Sequence, residues 1–311
     1  MVRPYREVKI LFRDGLGENS EFAGYHPAVN LTYFVFVIGI TMFSTNPLFL
    51  TASFAAAWIY SVILRGKKAV RTNILFMIPV MVVMTLINTF FTHNGSTVLF
   101  YVNTNRITLE ALVYGFAASV ILSAVIIWFT CFNTVMTSDK FIYLFGRTWP
   151  VFGLLLSMTF RFIGLLKNRY REISDGQKCM GRDAGKSFMM KARQITKEIS
   201  ILISWSLEAS IETADSMEAR GYGLKGRTFF SLFRFTAKDR AVMIWTVIFG
   251  GISLAGCILK KTVMYYYPSL EFPQPDMMTA VTLTAFVLLI FIPVIIDIYG
   301  EIKWKRSESE I

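Results

Sequence analysis

Charge is scarce in this chain. Only 17% of its 311 residues are Asp, Glu, Lys or Arg, against about a quarter in an ordinary soluble chain. Together with long uncharged runs, that deficit points away from a soluble domain and toward a membrane protein. Cysteine is scarcer still. Cys131, Cys179 and Cys257 lie far apart, which excludes a disulfide framework and any CxxC metal site. His26 and His93 are the two histidines, leaving little for a metal centre. An early apolar run is also missing. The first residues carry Arg3, Arg6, Lys9 and Arg13, so no cleavable signal peptide is expected.

What is present is apolar: 54% hydrophobic, 15% aromatic, with a mean hydropathy of +0.50. A helix that crosses the hydrocarbon needs about 17–25 predominantly apolar residues. Ile74–Phe91, Ala111–Phe132, Ala241–Leu259 and Met278–Ile296 meet this without a charge. Pro27–Leu64 is also uncharged but too long for one crossing. Asn46-Pro47 is a turn dipeptide near its middle, so two short crossings are expected there. The sum is six transmembrane helices, with Pro79 and Pro293 inside helices, where a membrane tolerates them.

Phe141–Leu166 and Ile199–Met217 are apolar but interrupted, the first by Arg147 and Arg161, the second by Glu208, Glu212 and Asp215. A charge at mid-bilayer costs about 2.5–3.5 kcal/mol even on a lenient scale. With six spans and a cytoplasmic N-terminus, all but three of the 32 Lys and Arg fall on the cytoplasmic side. The exceptions are Arg106, Lys260 and Lys261, a strong positive-inside bias. If both interrupted segments spanned, nine basic residues from Lys167 to Lys197 would move outside. The expected fold is therefore an all-α polytopic membrane protein in three parts. Residues 1–140 form an N-terminal membrane part with four transmembrane helices. Residues 141–240 form a cytoplasmic region of two long helices. Residues 241–311 form a C-terminal membrane part with two transmembrane helices. Both termini are expected in the cytoplasm. The net charge of +11 then belongs to a cytoplasmic face, with membrane lipid and no nucleic acid as partner.

The cytoplasmic region reads as helices over Trp149–Met180 and Ser187–Arg220. Pro150 stands in the first turn of one, and Gly181 and Gly221 follow as C′ residues. Gly153 and Ser157 on the first helix, and Ser206, Ser210 and Ala214 on the second, are small residues four apart. That pattern suits a close crossing of the two helices.

Two familiar motifs fail. Gly185-Lys186-Ser187 lacks the glycine a phosphate loop needs five residues before Gly185, where Met180 stands, and no strand precedes it. Gly221-Tyr222-Gly223-Leu224-Lys225-Gly226 matches GxGxxG but follows a helix, outside any βαβ unit. No cofactor is expected in this chain. Nor do the six spans hold a carboxylate or histidine, apart from His93 and Asp297 just beyond their ends. A proton relay or intramembrane hydrolase would need such groups. The chain is not expected to be an enzyme, and energy for transport must enter from elsewhere.

Met217-Glu218-Ala219-Arg220-Gly221-Tyr222 is the motif that remains. It places an arginine on the last turn of a long helix, before a glycine stop, where the guanidinium can pair bidentately with a carboxylate. With this motif in view, the chain resembles the T components of energy-coupling factor (ECF) transporters. The resemblance rests on His26-Pro27, Arg161-Phe162-Ile163, Arg171-Glu172-Ile173 leading to Gln177, and above all Glu218-Ala219-Arg220-Gly221-Tyr222. It implies a multi-pass subunit of a bacterial cell membrane. Two cytoplasmic coupling helices, each ending in Ala-Arg-Gly, would dock on two ABC-type ATPase subunits that bind ATP and magnesium. The membrane helices would hold a hydrophobic substrate-binding S component for vitamin or metal-ion uptake. Ala219, Arg220 and Gly221 match the second motif. The first reads Gln177-Lys178-Cys179-Met180-Gly181: Met180 occupies the arginine position and Arg182 follows two residues later. The implied coupling residues are thus Ala219, Arg220, Gly221, Met180, Gly181 and Arg182, supported by Glu218, Cys179 and Arg161. The unequal motifs suit a heterodimeric ATPase pair.

Two rival readings stay open at this level. The permease subunit of an ordinary ABC importer would carry Glu-Ala-Ala-x-x-x-Gly, whereas Glu218-Ala219 continues with Arg220 and Gly223 is out of register. A membrane-bound enzyme would need the intramembrane polar cluster that the spans lack.

Overall fold

The computed structural model describes residues 20–92, 94–102, 105–181, 188–224, 233–270 and 276–308. His93, Arg182, the Gly185-Lys186-Ser187 triplet, Lys225, Gly226 and the basic N-terminal residues lie outside them. The described residues form α1 (Pro27–Phe43), α2 (Pro47–Phe91), a hairpin of β1 (Val98–Val102) and β2 (Asn105–Thr108), α3 (Leu109–Val135), α4 (Ser138–Thr148), α5 (Pro150–Cys179), α6 (Phe188–Ala219), α7 (Ala237–Ile258) and α8 (Met277–Glu308). The chain is an all-α polytopic membrane protein. Among the described residues, five helices are long and apolar enough to cross a bilayer: α2, α3, α5 (over Val151–Cys179), α7 and α8 (over Met277–Trp304). The apolar α1 is shorter. From the sequence, α5 is expected in the cytoplasmic region, because Arg161 interrupts its apolar stretch.

The chain divides into two compact units, one of residues 1–140 with 233–311 and one of residues 141–232. In the first unit α2 holds two of the crossings expected as separate helices, with the basic stretch Arg65–Arg71 inside it. Gly66 alone breaks the helix, at φ 58° and ψ −144°, a backbone that glycine adopts without a Cβ clash. Asn73 Nδ2 donates to Ser61 Oγ at 3.2 Å, although twelve residues of straight helix span about 18 Å. The arm after Gly66 therefore folds back on the arm before it.

Aromatic residues fill the core of this unit. Trp128 of α3, Tyr33 of α1 and Tyr60 of α2 are fully buried, beside Phe22 and Phe34. Tyr33 meets Phe22 edge to face at 5.2 Å and donates its hydroxyl to the Ile290 carbonyl of α8 at 3.1 Å. Trp128 Nε1 donates to Ser53 Oγ at 3.1 Å. The Tyr33 phenol and the Trp128 indole thus each keep a polar partner within an apolar core. Between α7 and α8 the backbones come close: a Cβ at Gly256 would lie 2.2 Å from Thr282 Cγ2.

Polar side chains close one end of the bundle. The short 3₁₀ turn Phe22–Gly24 is held from three directions. Asp297 accepts from the Phe22 N–H at 2.8 Å, Asp239 accepts from the His26 N–H at 2.9 Å, and Lys140 donates to the Ala23 carbonyl. Asp239 also closes a capping box with Thr236 at the start of α7. His26 caps α1, its Nδ1 accepting from the Ala28 N–H at 3.2 Å. Asp297, expected just past the end of a span, lies inside α8 and is 2% exposed.

At the other end, Thr45 and Asn46 donate their N–H groups to the Thr262 carbonyl at 3.1 and 3.0 Å. These bonds tie the α1–α2 turn to the segment after α7. Lys261 Nζ stands 2.8 Å from Asp276 Oδ2, and this donor holds the Asp276 carboxyl below its ordinary range. The β1–β2 hairpin, antiparallel with a bulge between Val98 and Phe100, is a small departure from the all-helical expectation.

Candidate functional site

The candidate site belongs to the second unit and is built from α5 and α6. Pro150 opens α5 at its first position, where a missing N–H costs nothing and φ is already helical. The helix ends at Met180 and Gly181. Gly181 has φ +70°, and its N–H donates to the Lys178 carbonyl at 2.9 Å. At the end of α6, Gly221 has φ +76°. There the Gly221 N–H donates to Glu218 O at 2.9 Å and the Tyr222 N–H to Met217 O at 3.0 Å. This pair of bonds is a Schellman motif. An L-residue at Gly221 would add about 1–2 kcal/mol of left-handed strain, so the stop just after Arg220 is sharply specified.

Both ends face outward. Glu218, Ala219, Arg220 and Gly221 are in the exposed or half-buried class, and so are Cys179, Met180 and Gly181. Met180 is 61% exposed, a large apolar side chain left in the open where the second motif has Arg220. Chemically, the α6 end offers a guanidinium with a neighbouring carboxylate, and the α5 end offers a thioether and a thiol.

The two helices run antiparallel against each other. Near their linked ends, Tyr170 hydrogen-bonds Glu198, which is 2% exposed and also accepts from Gln194 Nε2 at 3.0 Å. The Arg169 guanidinium lies 5.2 Å from the centre of the Trp205 ring, within cation–π range. Further along, the helices splay around a groove of about 540 Å³ lined by Arg161, Trp205, Glu212, Met217, Arg220 and Tyr222, among others. The groove brings Arg161 and Arg220 to one place. Met180 and Gly181 lie elsewhere, nineteen residues along α5 from Arg161, about 28 Å at 1.5 Å per residue. Arg182 falls outside the described residues.

The expected small-residue stripes need correction. Ser206 is half-buried, but Ser210 and Ala214 are exposed. Ala209 and Thr213, also four apart, line the groove with Trp205 and Met217. Helical spacing admits either stripe. The bulky residues at 205 and 217 mark the inward face, a signal present in the sequence beside the small residues. Ser157 does line the groove, but Gly153 packs on α4, where its Cβ would come 2.2 Å from Gly146 Cα. Glu198, Tyr170 and Trp205 were not foreseen, because their partners lie on the other helix.

No family model matches the chain. Among curated proteins it is 30% identical over 190 residues to the energy-coupling factor transporter transmembrane protein EcfT of Streptococcus equi. That alignment covers 56% of this chain and 69% of the relative. The chain belongs to the EcfT family. A second EcfT, from Listeria innocua, is 28% identical over 250 residues, covering 75% of this chain and 93% of its own length. As an EcfT-family protein the chain is a transmembrane component of an energy-coupling factor transporter, part of a complex with other subunits.

Proposed function

We propose that this protein is the coupling subunit of an ECF-type importer of micronutrients, vitamins or metal ions, and hydrolyses nothing itself. Its membrane unit holds a hydrophobic S component. The outward ends of α5 and α6 dock on two ABC-type ATPases, which bind the ATP and magnesium. Ala219, Arg220 and Gly221 form one docking point, with Glu218 beside it. Cys179, Met180, Gly181 and Arg182 form the other. The protein spans a bacterial cell membrane with both termini in the cytoplasm.

The observation that carries this reading is the end of α6: an outward Arg220, fixed by a Schellman stop, on a 32-residue helix packed against α5. Two docking points at opposite ends of one antiparallel helix pair can engage two subunits at once. When ATP draws those subunits together, the ends follow and the pair changes its crossing. The motion passes up the helices to the membrane unit, which reorients the S component. Arg161, in the same groove as Arg220, holds the α5 side of that crossing. The unequal docking points favour two different ATPases.

The test is Arg220→Ala. Truncating one partner of a buried charge pair costs about 2–5 kcal/mol. ATPase co-purification and substrate uptake are therefore expected to fall at least tenfold while the membrane unit stays folded. Undiminished pull-down together with normal uptake would refute the assignment.

A further inference from the structure

We infer that the membrane unit carries a binding site for one anionic phospholipid headgroup, between the start of α7 and the end of α8. A cavity of about 440 Å³ opens there, and Lys238 and Lys303 line it. Both lysines are exposed. Among the described residues neither takes part in an ion pair. Glu21 stands on the wall too, its side chain laid against Gly300, where a Cβ would come 2.3 Å from Glu21 Cγ. Of the side chains that line the cavity, Lys238 and Lys303 are cationic and Glu21 is anionic, so the two ammonium groups are the donors a phosphodiester would meet there.

The remaining walls fit a lipid rather than a free anion. Tyr25, Tyr299 and Trp304 line the cavity, the residue types that settle at the headgroup level of a bilayer. Ile295 and Ile296 continue the wall one turn nearer the middle of α8, and Ile295 is 58% exposed. Charge at the helix ends, aromatics beside it and aliphatic side chains below follow the order of phosphate, glycerol backbone and acyl chain. The cavity lies beside the turn that Asp297, Asp239 and Lys140 hold, so a seated headgroup would brace that end of the bundle. All the lining residues belong to the membrane unit, and the site does not depend on the coupling role.

Native mass spectrometry of the full chain, with phosphatidylglycerol and phosphatidylcholine added at equal concentration, tests this. A lysine near a charged lipid surface is worth about a fivefold factor. Wild type is expected to retain phosphatidylglycerol over phosphatidylcholine, and K238Q/K303Q to lose that preference about tenfold or more. K238R/K303R, which keeps both charges, should restore it. Three results would overturn the site: unchanged preference in K238Q/K303Q, an equal loss in K67Q/K68Q, or displacement of the lipid by inorganic phosphate at matched concentration.

Discussion

At the scale of single residues, the closed end of the bundle depends on a few carboxylates in positions where water cannot replace them. Asp239 is 4% exposed and does two jobs: it completes the capping box of α7 and accepts the His26 N–H. Asp239→Ala would orphan that buried donor, at about 1–3 kcal/mol, and weaken the cap as well. Asp239→Asn keeps one acceptor oxygen and is expected to lose less. Thermal unfolding in detergent should rank the proteins wild type, Asn, then Ala. Equal midpoints for the two variants would mean that the hydrogen bond from His26 is not what holds the turn. Such a role could not be read from the sequence, because His26 and Asp239 meet only once the bundle has formed.

At the scale of elements, local signals were legible and pairings were not. Pro150, Gly181 and Gly221 marked the bounds of α5 and α6 to within a residue or two, because caps depend on neighbours along the chain. The runs ending at Leu64 and starting at Ile74 read as separate crossings. The helix instead resumes at once after Gly66, since Lys67, Lys68 and Ala69 favour helix and glycine alone provides the reversal. The β1–β2 hairpin is too short for a period-two pattern to stand out among apolar residues. The inward face of α6 depends on α5, so spacing alone chose a stripe one residue out of place. The close approach of α7 to α8 belongs here too. Gly256→Ala forces a methyl toward Thr282 and should destabilise the bundle by about 1–3 kcal/mol, as overpacking does. Thr282→Ala removes the clashing Cγ2, so the double variant should recover part of that loss. A coupling of at least about 0.5 kcal/mol is expected, and strict additivity would show that the two helices part freely.

At the scale of the whole molecule, orientation decides whether α5 and α6 can reach a cytoplasmic partner. The charge distribution argues for it: nine basic residues between Lys167 and Lys197 would have to be exported if both interrupted segments crossed the bilayer, and short loops rich in Lys and Arg resist export. The same segments carry Arg161 and Glu212, which line one groove and would each be costly at mid-bilayer. The protein provides its own reporter. Cys131 is buried and Cys179 is exposed at the end of α5, so a Cys257→Ser variant leaves one accessible thiol. In intact cells lacking the ATPase subunits, a membrane-impermeant maleimide should leave Cys179 unmodified, and permeabilisation should make it react. Modification of Cys179 before permeabilisation would place the end of α5 outside the cell, beyond the reach of any ATP-driven partner, and the coupling role would fall with it.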